Sequence, residues 1–207
     1  MILGVTPARG GSKGVPDKNL RALAGRPLLA WTVEAALGAS LIDRYVVSTE
    51  DARIARVARE CGAEVLERPA ELAGDEVLSM PVVQHALECL PADIVVLLQA
   101  TSPIRDAGLI DRCVRRVLET GVDSLATGYV CQAAEYGPLA RRRQDIDGFF
   151  VDDGNVYVVQ ADVIRSGRWC GARPERLIVS REENIDIDDA FDFWMAEQVL
   201  ARRTAAS

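Results

Sequence analysis

The residues best equipped for chemistry come first in the chain. Residues 1–6 form a short apolar run that breaks into Pro7-Ala8-Arg9-Gly10-Gly11-Ser12-Lys13-Gly14-Val15-Pro16-Asp17-Lys18-Asn19. An apolar run followed at once by glycines and cations reads as a buried strand feeding a loop at its carboxyl end, where open α/β sheets bind ligands. The glycines let the backbone come close to a ligand. Successive N–H groups in such a loop form an anion-binding concavity. Arg9, Lys13 and Lys18 add fixed positive charge, so the fitting guest is a phosphate chain. The loop is neither of the two familiar phosphate motifs. Gly14 is followed by Val15-Pro16 rather than Lys-Ser/Thr, and no G-x-G-x-x-G is present.

Two further stretches carry usable groups. In Glu183-Asn184-Ile185-Asp186-Ile187-Asp188-Asp189, Asp186 and Asp188 lie two apart and share one side of an extended segment. Such a pair suits a hard divalent cation, and Mg²⁺ typically takes one or two carboxylates plus substrate phosphates. Asp188 and Asp189 also precede a helical pattern that acids would cap, and Asp188 could serve both ends. The other stretch is Gln99-Ala100-Thr101-Ser102-Pro103-Ile104-Arg105. Gln99 offers a donor and an acceptor to a base or sugar edge. Thr101 and Ser102 read either as ligand contacts or as turn and capping residues. The only histidine, His85, falls within a helical pattern, which leaves little room for a histidine-dependent mechanism.

These groups need a frame. Apolar spacing predicts helices over 27–37, 52–60, 78–90, 106–119 and 190–203, with strands over 45–49, 64–66, 93–98, 123–130 and 155–159. The run Ser48-Thr49-Glu50-Asp51 reads as the cap of the second helix. Strands and helices alternate, so the sheet is mainly parallel. The continuous apolar run at 93–98 marks a central strand buried on both faces. Residues 67–77 are polar and turn-rich, and Asp75 within them is either a solvated loop residue or part of a functional connection. The pattern loosens over 131–154, an excursion from the core that holds Arg141-Arg142-Arg143. These arginines are either a solvated face or suited to bidentate anion contacts.

Composition narrows the class. The chain has 207 residues, enough for one good-sized α/β domain, and 49% of them are hydrophobic. No apolar run reaches membrane-spanning length, and the amino terminus lacks a signal pattern, so a cytoplasmic protein is expected. A net charge of −7 disfavours nucleic acid as a partner. The five cysteines are scattered without a C-x-x-C pair and read as reduced structural thiols.

The run R-G-G-S-K-G-x-P-x-K-N, followed by L-A-G-R-P-L-L-A-W-T, resembles the acylneuraminate cytidylyltransferases (CMP-sialic acid synthetases). Gln99 to Arg105 is similar to the family's Q-P-T-S-P-x-R, with Ala100 replacing its proline, and Asp186-Ile187-Asp188 is similar to its D-I-D. The resemblance implies a three-layer α/β/α, Rossmann-like nucleotidyltransferase fold. Residues 1–207 would form one cytidylyltransferase domain, with 130–155 as a protruding dimerisation and substrate segment. The implied reaction transfers CMP from CTP to the anomeric hydroxyl of a nonulosonic acid sugar and releases pyrophosphate, in a homodimer. Arg9, Lys18, Asp186 and Asp188 would be catalytic, and Asp186 and Asp188 would hold Mg²⁺. The nucleotide would meet Ala8, Arg9, Gly10, Gly11, Ser12, Lys18, Asn19, Asp75 and Gln99. The sugar would meet Gln99, Thr101, Ser102, Arg142, Arg143, Asp153 and Tyr157.

One stretch departs from that pattern. Where the family has R-x-N-G-A-I-Y-I, this chain has Val151-Asp152-Asp153-Gly154-Asn155-Val156-Tyr157-Val158. It partly resembles the D-x-G-Q-F-Y of pseudaminic acid cytidylyltransferases. An acidic wall at Asp152-Asp153 would welcome an amine or hydroxyls and resist a carboxylate, which leaves the acceptor open. Two other readings stand beside this one. A CMP-Kdo-type nucleotidyltransferase shares the fold but has a different glycine loop. A non-catalytic nucleotide-binding regulator is opposed by the intact Arg9, Lys18, Asp186 and Asp188.

Overall fold

In the computed structural model the described residues are 1–133 and 142–205. The core is a seven-stranded sheet. Its strands are β1 (Ile2–Pro7), β4 (Arg44–Thr49), β5 (Glu64–Glu67), β6 (Ile94–Leu97), β7 (Ser124–Cys131), β8 (Phe149–Gln160) and β9 (Pro174–Ile178), in the order β5-β4-β1-β6-β8-β7-β9. The four strands from β5 to β6 run parallel, as the alternation of strand and helix requires. β8 lies antiparallel to both β6 and β7, and β9 pairs parallel with β7. The sheet is thus mainly parallel, with one reversed strand placed inside it.

Helices cover both faces. On one face α1 (Leu28–Leu37), α2 (Ala52–Glu60) and α4 (Leu109–Thr120) set Leu29, Val33, Ile54, Cys113 and Val117 against Val47, Val96, Leu98 and Val158. On the other, α3 (Ser79–Cys89) and α5 (Ala161–Arg165) pack Val83, Leu87 and Ile164 on Leu3, Val5, Val95 and Leu97. The strands therefore read as unbroken apolar runs, because each face of the sheet meets a helix layer. A third apolar cluster lies beneath the carboxyl edge of β1. In it α6 (Ala190–Ala205) packs Phe193, Ala196 and Leu200 on Val15, Leu23, Ile104, Ile185 and Ile187. This cluster seats the glycine loop and the segment before α6 against each other. No described helix is long and apolar enough to cross a membrane.

Most predicted elements are present within a few residues of their expected ends. Asp51 caps α2 by accepting a hydrogen bond from the Arg53 amide at 2.8 Å, as the capping run predicted. Three elements carried no sequence signal: α5, β9, and the hairpin formed by β2 (Ala22–Leu23) and β3 (Arg26–Pro27). The hairpin turns through Ala24 and Gly25, both at positive φ, the geometry of a two-residue primed turn. Residues 134–141, including Arg141 of the arginine run and part of the expected protruding segment, lie outside the described residues.

The pairing of β7 with β8 breaks where the site begins. Ala126 faces Tyr157 and Gly128 faces Asp152, so Thr127 alone stands against residues 153–156. The slack forms a buried bulge. Thr127 Oγ1 donates to Asp153 Oδ1 at 2.7 Å and accepts from the Val156 amide at 2.9 Å. Asn155, fully buried, donates through Nδ2 to the carbonyls of Ile104 at 2.9 Å and Glu183 at 3.0 Å. One side chain thus ties the chain after β6 to the chain before α6. Asn155→Ala would leave both carbonyls buried without a donor. Stability should fall by roughly 2–4 kcal/mol, read as a lowered urea midpoint at unchanged slope. A loss below roughly 0.5 kcal/mol would show that the two segments do not depend on this tie.

Candidate active site

Three segments meet at the carboxyl ends of β1 and β6. The glycine loop follows β1, residues 99–105 follow β6, and residues 183–188 cross beside them. Close packing holds the first to the third. A Cβ at Gly14 would lie 2.2 Å from the Asp188 carbonyl oxygen, so only glycine permits this approach. Lys18, nearly buried, donates from Nζ to the Ile187 carbonyl at 2.5 Å and lies 3.8 Å from Asp188 Oδ1. Asn19 Nδ2 donates to the Arg9 carbonyl at 3.0 Å and fixes the shape of the loop. The Gly10 amide donates to Glu50 Oε1 at 2.7 Å, and Ala8 is buried with its amide on the Ser48 carbonyl. Gly11 sits at positive φ with open space above it.

A cleft of about 170 Å³ opens between the loop and β6. Its lining brings together Arg9, Ser12, Lys18, Asn19, Gln99 and Thr101, which the sequence had placed in two separate motifs. It also includes Arg68, Leu78 and Ser79, which sequence reasoning missed. Arg68 is buried and held by Glu50 Oε2, with Nη2 at 2.5 Å. Glu50 therefore anchors both a cleft cation and the glycine loop. The only sequence hints were a lone acid in a capping run and a lone arginine in a turn-rich segment, and neither is specific.

The acidic segment alternates in and out. Glu183, Ile185 and Ile187 are buried, while Asp186 and Asp188 face away from that core, so the two-residue spacing does bring both aspartates to one side. Asp189, not Asp188, caps α6: its Oδ1 accepts the amides of Phe191 at 2.7 Å and Asp192 at 3.1 Å. This leaves the Asp188 carboxylate, 86% exposed, to face Lys18. Asp186 Oδ1 is buried with no hydrogen-bond partner. Burial pushes the Asp186 carboxyl above its ordinary range, and the Asp188 charge adds to this, against a Thr101 hydrogen bond and Lys18. A desolvated, unpartnered carboxylate oxygen beside a second carboxylate fits a hard divalent cation. These two residues are the pair that could hold one.

The bulge in β8 packs against the candidate residues through Gly154. Gly154 has φ +72°, and a Cβ there would lie 3.1 Å from Gln99 Nε2, 3.2 Å from Ser102 Oγ and 3.3 Å from Asp186 Oδ2. Three candidate side chains therefore converge over a residue that has none. Arg105 runs beneath them and donates to the carbonyls of Gln99 and Asn155, each at 2.9 Å, and to Thr32 Oγ1 at 2.9 Å. Desolvation lowers its guanidinium to about 10.

The remaining candidates are placed differently from expectation. Ser102 is fully buried, and its hydroxyl donates to the Asp153 carbonyl at 3.3 Å. Asp152 and Asp153 do not form one acidic wall, because adjacent strand residues point to opposite faces. Asp152 is exposed and accepts the Tyr157 hydroxyl at 2.5 Å, whereas Asp153 is buried against Thr127. Arg142 is exposed, pairs with Asp145 of its own turn at 2.8 Å and does not line the cleft of this chain; Arg143 opens that turn. Asp75 does not line it either. Its carboxylate pairs with Arg9 and, at 2.5 Å, with Lys13. His85 lies on α3 beside Cys89.

A phosphate-type loop and an acid pair at the carboxyl edge of this sheet define the class, an α/β nucleotidyltransferase fold. The solved structure of a CMP-2-keto-3-deoxy-manno-octonic acid synthetase complexed with CTP superposes with a TM-score of 0.78 at 15% identity, over 98% of this chain and 99% of that one. A nucleotidyl transferase from Methanothermobacter thermautotroptrophicus gives 0.68 at 17% identity, over 98% and 99%. The chain belongs to the cytidylyltransferase family, whose model matches residues 3–137. It is 32% identical to the CMP-N,N'-diacetyllegionaminic acid synthase of Legionella pneumophila, over 96% of each chain. It is 30% identical to N-acylneuraminate cytidylyltransferase A of Danio rerio and 29% identical to the N-acylneuraminate cytidylyltransferase of Escherichia coli, covering 94% and 98% of this chain. It spans about half the length of those two relatives, 50% and 52%.

Burial raises the Asp153 carboxyl from its ordinary 3.8, against the Thr127 hydrogen bond that lowers it. A carboxyl raised in the folded state favours the fold most below its unfolded value and loses that contribution as pH rises through the folded value. Asp153→Asn keeps an oxygen acceptor for Thr127 and removes the charge. The variant should melt above the wild type at pH 7, with the gap closing as pH falls toward 4. A variant that melts lower at pH 7 would show that the ionised form is held favourably.

Proposed function

We propose that this protein is a sugar-activating cytidylyltransferase that moves CMP from CTP to the anomeric hydroxyl of a nonulosonic acid and releases pyrophosphate. We further propose that Mg²⁺ held by Asp186 and Asp188 assists it, and that it works in the cytoplasm as a homodimer. The observation that carries the reading is the cleft itself: Arg9, Ser12 and Lys18 face Gln99 across it, beside an unpartnered Asp186 oxygen. The legionaminic acid synthase matched over nearly its whole length, and the N-acylneuraminate enzymes, support an acceptor of this class.

The chemistry follows from the charges. The acceptor oxygen attacks the α-phosphorus, a new P–O bond forms, and the bond to the pyrophosphate oxygen breaks on the opposite side. The acceptor's proton leaves and pyrophosphate carries away the electron pair. The main demands are alignment and neutralisation of phosphate charge. The amides of the glycine loop, Arg9 and Lys18 would hold the triphosphate. Lys18, fixed by the Ile187 carbonyl, can reach a phosphate without losing its position. Gln99 and Tyr157 would contact and orient the acceptor. When bound, Mg²⁺ neutralises phosphate charge and acidifies a coordinated hydroxyl. The proton acceptors at the site are carboxylates, since the lone histidine lies elsewhere.

Pyrophosphate release should be measured with CTP and Mg²⁺ against N-acetylneuraminic acid, its deaminated analogue, legionaminic acid, pseudaminic acid and Kdo. Release is expected with at least one nine-carbon acid. Asp186→Asn should lower turnover roughly a hundredfold or more at saturating Mg²⁺. Release with Kdo alone would replace the acceptor class. Near-normal turnover of the Asn variant would remove Asp186 from the chemistry.

A further inference from the structure

Asp75 occupies an unusual position for a residue beside a nucleotide cleft. It stands in the turn-rich connection between β5 and α3, and its carboxylate bridges two cations of the glycine loop: Arg9, which lines the cleft, and Lys13, at 2.5 Å on the other oxygen. A carboxylate across an arginine and a lysine makes the contacts that a phosphate oxygen pair would make there. The hydrogen bonds from Lys13 and Arg9 hold it below the ordinary carboxylate range, so it is ionised when the pairs form. All three side chains reach solvent, Arg9 and Asp75 at 33% and Lys13 at 78%. Pairs in such surroundings contribute little individually and can be exchanged for a better anion.

We infer that Asp75 is a positioning residue that holds Arg9 and Lys13 as an internal stand-in for the outer phosphates, and that a triphosphate displaces it. Without ligand, two neighbouring cations on a glycine-rich loop would repel each other and scatter, and the shared carboxylate keeps them in register. On binding, the β- and γ-phosphates take over both cations and Asp75 is released. On departure of pyrophosphate, Asp75 pairs again and competes against its return. Asp75 therefore weakens ground-state affinity for polyphosphates while ordering the loop that receives them. The inference rests on the proposed reaction only for the identity of the nucleotide, because the exchange requires a polyphosphate of any origin.

The test is calorimetric titration of wild type, Asp75→Asn and Asp75→Glu with CTP, CMP and inorganic tripolyphosphate. Removing one competing carboxylate from two weak pairs should tighten tripolyphosphate and CTP roughly five- to tenfold. CMP, which has no outer phosphates, should change less than twofold, and the glutamate variant should follow the wild type. A general loosening of the loop would weaken all three ligands together, which separates a structural role from exchange. Weaker or unchanged tripolyphosphate binding in Asp75→Asn overturns the inference. Tighter tripolyphosphate binding with no binding of CTP by any form keeps the inference and removes the cytidylyltransferase reading.

Discussion

The site depends on satisfying buried polar groups in the β8 bulge. Buried amides and carbonyls must find partners, and residues 153–156 cannot pair with β7 because only Thr127 stands opposite. Thr127, Asn155 and Arg105 supply the missing partners. In doing so they reach Gln99, Ile104 and Glu183. The ends of β6 and β8 and the approach to α6 are thereby locked to one another. A regular strand at this point would have bonded its neighbours directly and left nothing to hold the Asp186 segment over the sheet edge. Glu183 strengthens the lock, since its buried carboxylate accepts the amides of Asp106 and Ser180, each at 3.1 Å.

Charge is separated across the cleft as well as gathered in it. The glycine loop contributes cations, and the segment before α6 contributes the exposed Asp188 carboxylate and Asp186, whose carboxyl burial makes costly to ionise. A carboxylate buried like that of Asp186 lowers stability in the empty protein and becomes favourable when a cation arrives. The capping of α6 by Asp189 belongs to the same arrangement. Had Asp188 capped the helix, its oxygens would have been committed to backbone amides and Lys18 would face an incomplete acid pair.

Much of this was legible in the sequence because local patterns carry it. The parallel half of the sheet followed from alternating apolar runs, and the glycine loop, Gln99 and the aspartate pair stood out by residue type and spacing. What was hidden depends on direction and distance. The apolar run at 155–159 has the same composition whether its strand runs up or down, so the antiparallel setting of β8 left no mark. The positive φ of Ala24 that makes the small hairpin is not encoded by an alanine. Arg68 enters the cleft only because Glu50, 18 residues away, draws it in, and no local spacing announces such a pair. Asp153 had suitable chemistry for ligand contact, but the bulge turned it inward and its carbonyl accepts the buried Ser102 hydroxyl, and a motif states residue types without stating which side of a distorted strand each takes.

That last point bears on how an acceptor would be chosen under the proposed reaction. With Asp153 buried among its own hydrogen bonds, the acidic character of this stretch toward a ligand reduces to one group, Asp152, shared with the Tyr157 hydroxyl. Tyr157 in turn leans on Trp169, with ring centroids 6.1 Å apart, so the hydroxyl is held by a packed aromatic rather than a free rotor. A single anchored carboxylate–phenol pair accepts a hydroxyl or amine at a defined position, whereas a wall of two acids would repel the acceptor's own carboxylate over a broad area. The bulge therefore does two things with one distortion. It withdraws a negative charge from the face a sugar acid must approach, and at the buried Gly154 it lets Gln99, Ser102 and Asp186 come close to the backbone.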